Sequence, residues 1–253
     1  MDYRVEQKYI VTDADLTVLL KRLRGILAQD IHQKGDCYQI RSLYFDDIAD
    51  SCLDENDAGV DRRFKYRIRH YDPTAEAMRL EIKEKKRGLT RKYSAMISRE
   101  ECKRIMDHTL PFQMDDRKVL NLLQLQMRCA HLRPKAIISY ERTAFVYPVG
   151  NVRITFDRNI SASGVCEDFL KPIVRNPVPV MPAGLHVLEV KYDELLPDYI
   201  ANALNLGSLQ QTAFSKYGLG RLALQGDFFA GSGRIYKEHL CTNTKHYDVH
   251  CRL

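Results

Sequence analysis

Apolar positions along this chain recur at two spacings, which divide it into short strands with amphipathic helices between them. Residues 3–10 alternate and predict a first strand. Thr12, with Asp15 three positions on, marks a helix start; Leu16, Leu19, Leu20, Leu23 and Ile26 follow at helical spacing, and Gly35 ends the unit. Residues 38–45 read as a second strand, and the acidic run 46–57 as a short helix and loop. Strands are expected over 62–71, 77–85 and 89–97, with Asp72-Pro73 and Lys86-Arg87-Gly88 as turns. Ser98 with Glu101 forms a capping box ahead of a short helix, and 115–130 carries Val119, Leu120, Leu123 and Met127 on one helical face. Strands over 135–147, 151–160 and 186–192, a proline-rich irregular stretch over 172–184, and helices over 197–204 and 213–224 complete the pattern. Periodicity fades near residue 226, which predicts one domain over 1–225 and a mobile tail over 226–253. Strands with helices inserted between them predict an α+β fold built round an antiparallel sheet.

Within the strands, charge falls on one side. Arg4, Glu6 and Lys8 share a face, as do Arg63, Lys65, Arg67 and Arg69, and then Arg79, Glu81, Lys83 and Lys85. Arg153, Thr155 and Asp157 share another, and so do Glu189, Lys191 and Asp193; only around Thr90, Lys92 and Ser94 is the pattern poorer. A half-exposed sheet with one polar face in water would explain any single strand. Long cations at consecutive same-face positions repel one another, and a bound polyanion offsets that repulsion. The amphipathic helices can cover the apolar faces, so the charged faces are expected inward, in a sheet curled into a closed barrel with room for one slim ligand. Guanidinium and ammonium groups there would select phosphate oxygens.

Individual positions keep two readings. Glu189 is a salt-bridge partner for a nearby lysine or a hard ligand for Mg2+ or Mn2+, and Glu6 and Asp157 are similar. Lys216, at a helix start or in a loop, is by pattern alone a surface lysine, and Arg142 a pairing arginine. The tail offers His239, Cys241, His246, His250 and Cys251 as zinc ligands, but no paired cysteines precede the histidines.

The net charge of +6 and pI near 8.9 favour anionic partners without specifying one. Seven cysteines, an odd number at irregular spacing and with no C-x-x-C, argue against a disulfide framework and for a reducing compartment. There is no apolar leader at Met1 and no run long enough to span a bilayer, so the expected location is the cytoplasm.

Taken in order, several runs resemble one family. They are Arg4-Val5-Glu6-Gln7-Lys8-Tyr9, Ser42-Leu43-Tyr44-Phe45-Asp46, Lys65-Tyr66-Arg67-Ile68-Arg69 and Leu80-Glu81-Ile82-Lys83. Ser139-Tyr140-Glu141-Arg142, Arg153-Ile154-Thr155-Phe156-Asp157, Leu188-Glu189-Val190-Lys191-Tyr192-Asp193 and Ser215-Lys216-Tyr217 follow. The series, from about residue 3 to about 224, resembles the VTC domain, the catalytic domain of polyphosphate polymerases within the triphosphate tunnel metalloenzymes. The resemblance implies a closed eight-stranded antiparallel β-barrel, the tunnel, with helices packed outside. It implies phosphate binding by Lys8, Arg67, Arg69, Lys83 and Arg142, further charge from Lys92 and Lys216, and hydrogen bonds from Tyr140 and Ser215. Lys191, on the face of Glu189, joins the substrate-binding group. Glu189, with Glu6 as a second carboxylate, would hold Mn2+ or Mg2+. The implied reaction moves the γ-phosphate of ATP onto a growing inorganic polyphosphate chain.

Two departures bear on this. The wider superfamily often opens with Glu-x-Glu-x-Lys, and Arg4 stands where the first glutamate would be, which shifts weight onto Glu189. Eukaryotic polymerases of this type also carry a phosphate-sensing domain and membrane helices, neither of which is expected here. A tunnel-type triphosphatase and a non-catalytic polyphosphate-binding module are alternatives. Nucleic acid is disfavoured because Phe64 and Tyr66 face away from the arginines, whereas single-strand binders interleave aromatics with their bases. No Ser, Cys or His triad is legible, as befits phosphoryl transfer by positioning and charge neutralisation.

Overall fold

The computed structural model describes residues 4–226, apart from Lys34, Gly88, Leu206 and Gly207. The expected tail from 227 on, with its five candidate zinc ligands, lies outside the described residues, as do Tyr3 and the Gly88 turn position.

The main strands are β1 (Val5–Thr12), β3 (Tyr38–Asp46), β4 (Arg62–His70), β5 (Ala77–Lys86), β6 (Leu89–Ser98), β7 (Arg133–Tyr147), β8 (Val152–Ser163) and β10 (Leu185–Tyr192). Two short strands, β2 (Ala28–Gln29) and β9 (Val178–Pro179), attach to β7 and β8. The helices are α1 (Asp13–Arg24), α2 (Ser51–Asp57), α3 (Arg99–Met106), α4 (Lys118–Cys129), α5 (Asp198–Leu204) and α6 (Lys216–Gln225). Both expected capping boxes form: Thr12 with Asp15 starts α1, and Ser98 with Glu101 starts α3.

The sheet is antiparallel and runs β1-β10-β8-β7-β3-β4-β5-β6. It is an open path, which corrects the expected closed eight-stranded barrel: among the described residues β1 and β6 share no ladder. The far edge of β1 is instead taken by the segment before α6. Tyr9 bridges Gln211, and the Thr212 amide donates to the Lys8 carbonyl at 2.8 Å. Hydrogen bonds used there cannot also join β6. The sheet still curls far enough for side chains of β1 and of β4–β6 to line one cavity.

Strand alternation sends the apolar faces outward, as expected, and helices bury them. Tyr9, Val11, Phe156, Leu188 and Val190 pack with Leu19 and Leu23 of α1 and Ile200 of α5. Ile68, Leu80 and Ile82 pack with Ile105 of α3 and with Leu120 and Leu123 of α4. Helix α6 lies instead on the concave side. A Cβ on Gly220 would stand 2.3 Å from Ile138 Cδ1 and 3.3 Å from the Ala162 Cβ. Ile138 shares the inward face with Tyr140 and Arg142, and glycine lets this helix lie against that face without pushing the end of the Ile138 side chain aside.

Candidate active site

A cavity of about 710 Å3 occupies the concave side of the sheet, lined by eleven basic residues and by the two carboxylates Glu6 and Glu189. Its walls follow from strand alternation: Glu6 and Lys8 from β1, Arg63 to Arg69 from β4, Lys83 and Lys85 from β5, Arg142 from β7, Glu189 and Lys191 from β10. The segment 211–217 forms one side.

Buried carboxylates behind the cavity hold its arginines. Glu81 is 2% exposed. It accepts from Arg67 Nε at 2.6 Å and from Lys92 Nζ at 3.2 Å, and Arg69 Nη1 lies 3.9 Å away. Burial alone would raise the Glu81 pKa, but Arg67, Arg69 and Lys92 together hold it well below the usual carboxylate range. The free edges of both arginines are aimed by hydroxyls. Arg67 Nη1 donates to Tyr44 Oη at 3.1 Å, Arg69 Nε to Ser42 Oγ at 3.1 Å, and Arg69 Nη2 to Tyr140 Oη at 3.1 Å.

Asp157 does the same for a second pair of cations. It is fully buried and accepts two bonds from Arg142, 2.6 Å from Nε and 2.8 Å from Nη2. Lys216 Nζ stands 2.6 Å from Oδ2, the oxygen that Arg142 Nη2 also reaches. Against the effect of burial, Arg142 and Lys216 lower its pKa. Both cations also lie over the Tyr140 ring, at 5.3 and 5.1 Å from its centre.

The two lining carboxylates are neighbours. Lys191 Nζ stands between them, 3.5 Å from Glu6 and 3.0 Å from Glu189, and Lys8 Nζ lies 3.0 Å from Glu6. Glu189 is buried, yet Lys191 and Lys8 hold it ionised, well below its ordinary pKa. A cation already bridging two hard oxygen donors shows that the pair can accept a positive ion between them, and carboxylate oxygens suit Mg2+ or Mn2+. Among the described residues no three His, Cys, Asp or Glu side chains gather to hold a metal. The protein would therefore supply two carboxylates and leave other positions to phosphate and water, as Mg2+ sites commonly do.

Helix α6 begins at this cavity. Ser215 is its N-cap and accepts from the Gly218 amide at 3.2 Å, while Lys65 Nζ donates to Ser215 Oγ at 2.9 Å. Lys216 and Tyr217, the first helical residues, also line the cavity, so the positive end of the helix dipole adds to the basic field. The helix is tied down further along. Tyr217 Oη donates to Asp46 at 2.6 Å, and Arg221 donates to Tyr217 Oη at 3.0 Å and to Asp50 at 2.7 and 2.8 Å.

The cavity thus gathers Lys8, Arg67, Arg69, Lys83, Arg142, Lys216, Tyr140, Lys191, Ser215, Glu189 and Glu6, which the sequence had singled out. Lys92 is the one set apart. It is not among the lining residues, its side chain is 45% exposed, and it reaches Glu81 from the sheet edge. Arg63, Lys65 and Lys85 line the cavity without having been assigned a role; their shared face with Arg67 and Lys83 was the available signal. Asp157, read from the sequence as a salt-bridge partner or a metal ligand, pairs with Arg142 and Lys216.

Among solved structures, a candidate adenylate cyclase from Bacillus halodurans shares the fold, with a TM-score of 0.51 at 15% identity over 85% of this chain and 94% of that chain. A protein from Pyrococcus horikoshii aligns at 14% identity over 86% of this chain and 97% of that chain with a TM-score of 0.42. The mimivirus capping enzyme triphosphatase aligns at 8% identity over 80% and 87% with a TM-score of 0.34. A search of curated proteins found no significant match. The family model of the VTC domain matches residues 3–225, a span containing every strand and helix described above. This chain, with its open curled sheet and basic cavity, belongs to the VTC domain family.

Proposed function

We propose that this protein is a metal-dependent polyphosphate polymerase that moves the γ-phosphoryl group of ATP onto the end of an inorganic polyphosphate chain. The observation that carries this reading is the cavity itself: eleven bases face two carboxylates in one concave space, a charge excess that a phosphate chain neutralises. Membership of the VTC domain family supports the acceptor being a phosphate chain rather than water.

In this reaction the bond between the γ-phosphorus and its bridging oxygen to ADP breaks as a terminal oxygen of the chain bonds to the same phosphorus. Such a transfer asks the protein for alignment and charge neutralisation more than for a nucleophile. Arg67 and Arg69, already aimed by Glu81, Tyr44, Ser42 and Tyr140, bind non-bridging phosphoryl oxygens. Arg142 and Lys216, fixed by Asp157 and lying over the Tyr140 ring, hold phosphates beside them, and Lys8 and Lys83 complete the clamp. Ser215 offers a hydroxyl beside them. Because these donors are braced before substrate arrives, little reorganisation is left for the transfer step. Glu6 and Glu189 would hold Mn2+ or Mg2+, which when bound supplies charge neutralisation on phosphoryl oxygens. Lys191, which lies between the two carboxylates, would pair with phosphate once a metal took that place.

The deciding experiment incubates purified protein with ATP and Mn2+ or Mg2+ and resolves the products on a gel. Long-chain phosphate is the expected product, and release of orthophosphate alone would identify a hydrolase. Glu189→Ala should abolish metal-dependent turnover while circular dichroism shows an unchanged fold. Normal turnover in that variant removes Glu189 from the mechanism.

A further inference from the structure

Over the outer face of β3 and β7 runs the irregular stretch after β8, held down by its own carbonyls. Arg41 of β3 donates to the Phe169 and Pro172 carbonyls at 3.1 Å each, and also to that of Lys171. His70 Nε2 lies 3.0 Å from the Phe169 carbonyl, and Arg99 donates to that of Leu170 at 2.7 Å. Beneath this strap a second cavity of about 160 Å3 remains, lined by Arg41, by the serines 139, 161 and 163 and by apolar side chains that include Ile137 and Val174. It shares no lining residue with the active-site cavity.

Strand register sets three of these side chains in one row. Arg41 stands opposite Ser139 across β3 and β7, and Ser139 opposite Ser161 across β7 and β8. Ser42 and Tyr140, their neighbours in sequence, reach Arg69 on the concave side, so the row faces the other way. The Ser139 hydroxyl oxygen is buried and has no hydrogen-bond partner among the described residues. Arg41 has no carboxylate beside it. All its bonds go to neutral carbonyls, and Asp168, the acid that acts on it from a distance, is held by Lys171 and Arg175 at 2.7 Å each. Those carbonyls take both Nη1 hydrogens and one on Nη2. Nε–H and the second Nη2–H remain, and they form the parallel edge that grips an oxyanion with two bonds. A role as a staple accounts for the carbonyl bonds. It leaves the open edge, the unmet hydroxyl and the space between them unexplained.

We propose that this second cavity binds a small tetrahedral oxyanion, orthophosphate, held by the open edge of Arg41 and the hydroxyls of Ser139 and Ser161. Charge and donor type set the class: among the described residues no carboxylate lines the space, and a cation without a counter-ion does. Size sets the limit, since sites for drug-sized ligands run from roughly 300 to 1,000 Å3. Adjacent strands lie about 4.8 Å apart, so Arg41 and Ser161 flank Ser139 and an ion above Ser139 can meet all three. The two oxygens of a carboxylate would be used up by the guanidinium edge, whereas a tetrahedral ion keeps two more for the hydroxyls. Ser139 precedes Tyr140, which orients Arg69 and lies under Arg142 and Lys216, so the ion would rest against the back of a strand that serves the active site.

The test is equilibrium dialysis of the full chain against radiolabelled orthophosphate, with EDTA present to prevent turnover. Tripolyphosphate, too long for the smaller cavity, is added in excess to fill the larger one. The parent should bind one orthophosphate per chain that Ser139→Val, which removes the hydroxyl and fills part of the space, does not bind. Ser139→Ala, which removes the hydroxyl alone, should weaken that ion by about tenfold. Both readouts are differences between parent and variant, so they hold whatever occupies the larger cavity and whether or not the protein makes polymer. Equal binding by the parent and Ser139→Val, or no binding by the parent, overturns the site. Displacement by acetate as readily as by arsenate overturns the tetrahedral assignment. Should Ser139→Val fail to fold, Ser161→Ala gives the same comparison from the end of the row away from Arg41, with a loss of about tenfold expected and unchanged binding counting against the site.

Discussion

Asp157 sits at the centre of the most consequential set of single contacts. Two cations, Arg142 and Lys216, arrive from a strand and a helix distant in sequence and share its two oxygens within 2.6 to 2.8 Å. Removing one partner from a buried ionic cluster leaves uncompensated charge, which costs about 3–5 kcal/mol. Asp157→Asn should therefore lower the unfolding free energy from urea titration by that amount, and a loss under about 1 kcal/mol would place the carboxylate outside the support of the site. Asp157 and Glu81 could be placed on the charged faces from alternation alone. Their roles could not, because a carboxylate among bases reads equally as a metal ligand or as a brace until the distances are known.

At the scale of elements, α6 needs the most explanation, because it must present Ser215 and Lys216 to the cavity while lying on the sheet's concave side. Asp50, preceding α2, anchors it: Arg221 of α6 donates to both its oxygens, and Lys135 of β7 lies 2.8 Å away. Those bonds, chiefly the one from Arg221, lower the Asp50 pKa from 3.8 to about 2. A depressed folded-state pKa contributes stability above the unfolded value that is lost as pH falls through the folded one. Between about pH 4 and 2 the protein should lose up to about 2 kcal/mol on this account, and Asp50→Asn should flatten that part of the acid-denaturation curve. Asparagine also tolerates the left-handed backbone at this position (φ 59°), so the comparison isolates charge. An unchanged acid limb would mean the α2–α6 tie carries no weight. The capping boxes made the starts of α1 and α3 readable in advance. The position of α6 was not, since its apolar spacing is the same whether it packs outside the sheet or within its curve.

For the whole molecule, the excess of base over acid in one cavity means that the unliganded fold carries internal repulsion. Salt should relieve part of it, with screening lengths falling from about 30 Å at 0.01 M to about 3 Å at 1 M. A bound polyanion should relieve more. Tripolyphosphate at one hundred times its dissociation constant should add about 2.7 kcal/mol of stability, which differential scanning calorimetry would register as a rise of several degrees in melting temperature. Sulfate at equal ionic strength should do much less, and equal shifts from both would indicate general screening instead of a site. Among the described residues no helix is long and apolar enough to cross a membrane.

The sequence by itself determined the strands, the helices and the face on which each charge lies, because alternation and helical spacing are local properties of a chain that must bury one side of each element. It also placed Lys8, Arg67, Arg69, Lys83 and Arg142 in one family pattern. Only the tertiary structure decided that the sheet stays open, since the edge of β1 is claimed by residues 211 and 212, some two hundred positions away. Only it separated Lys92 from the cavity, brought Asp157 beneath Arg142 and Lys216, and set Arg41, Ser139 and Ser161 in one row. Each of these depends on which strands become neighbours and in what register, and no local spacing carries that information.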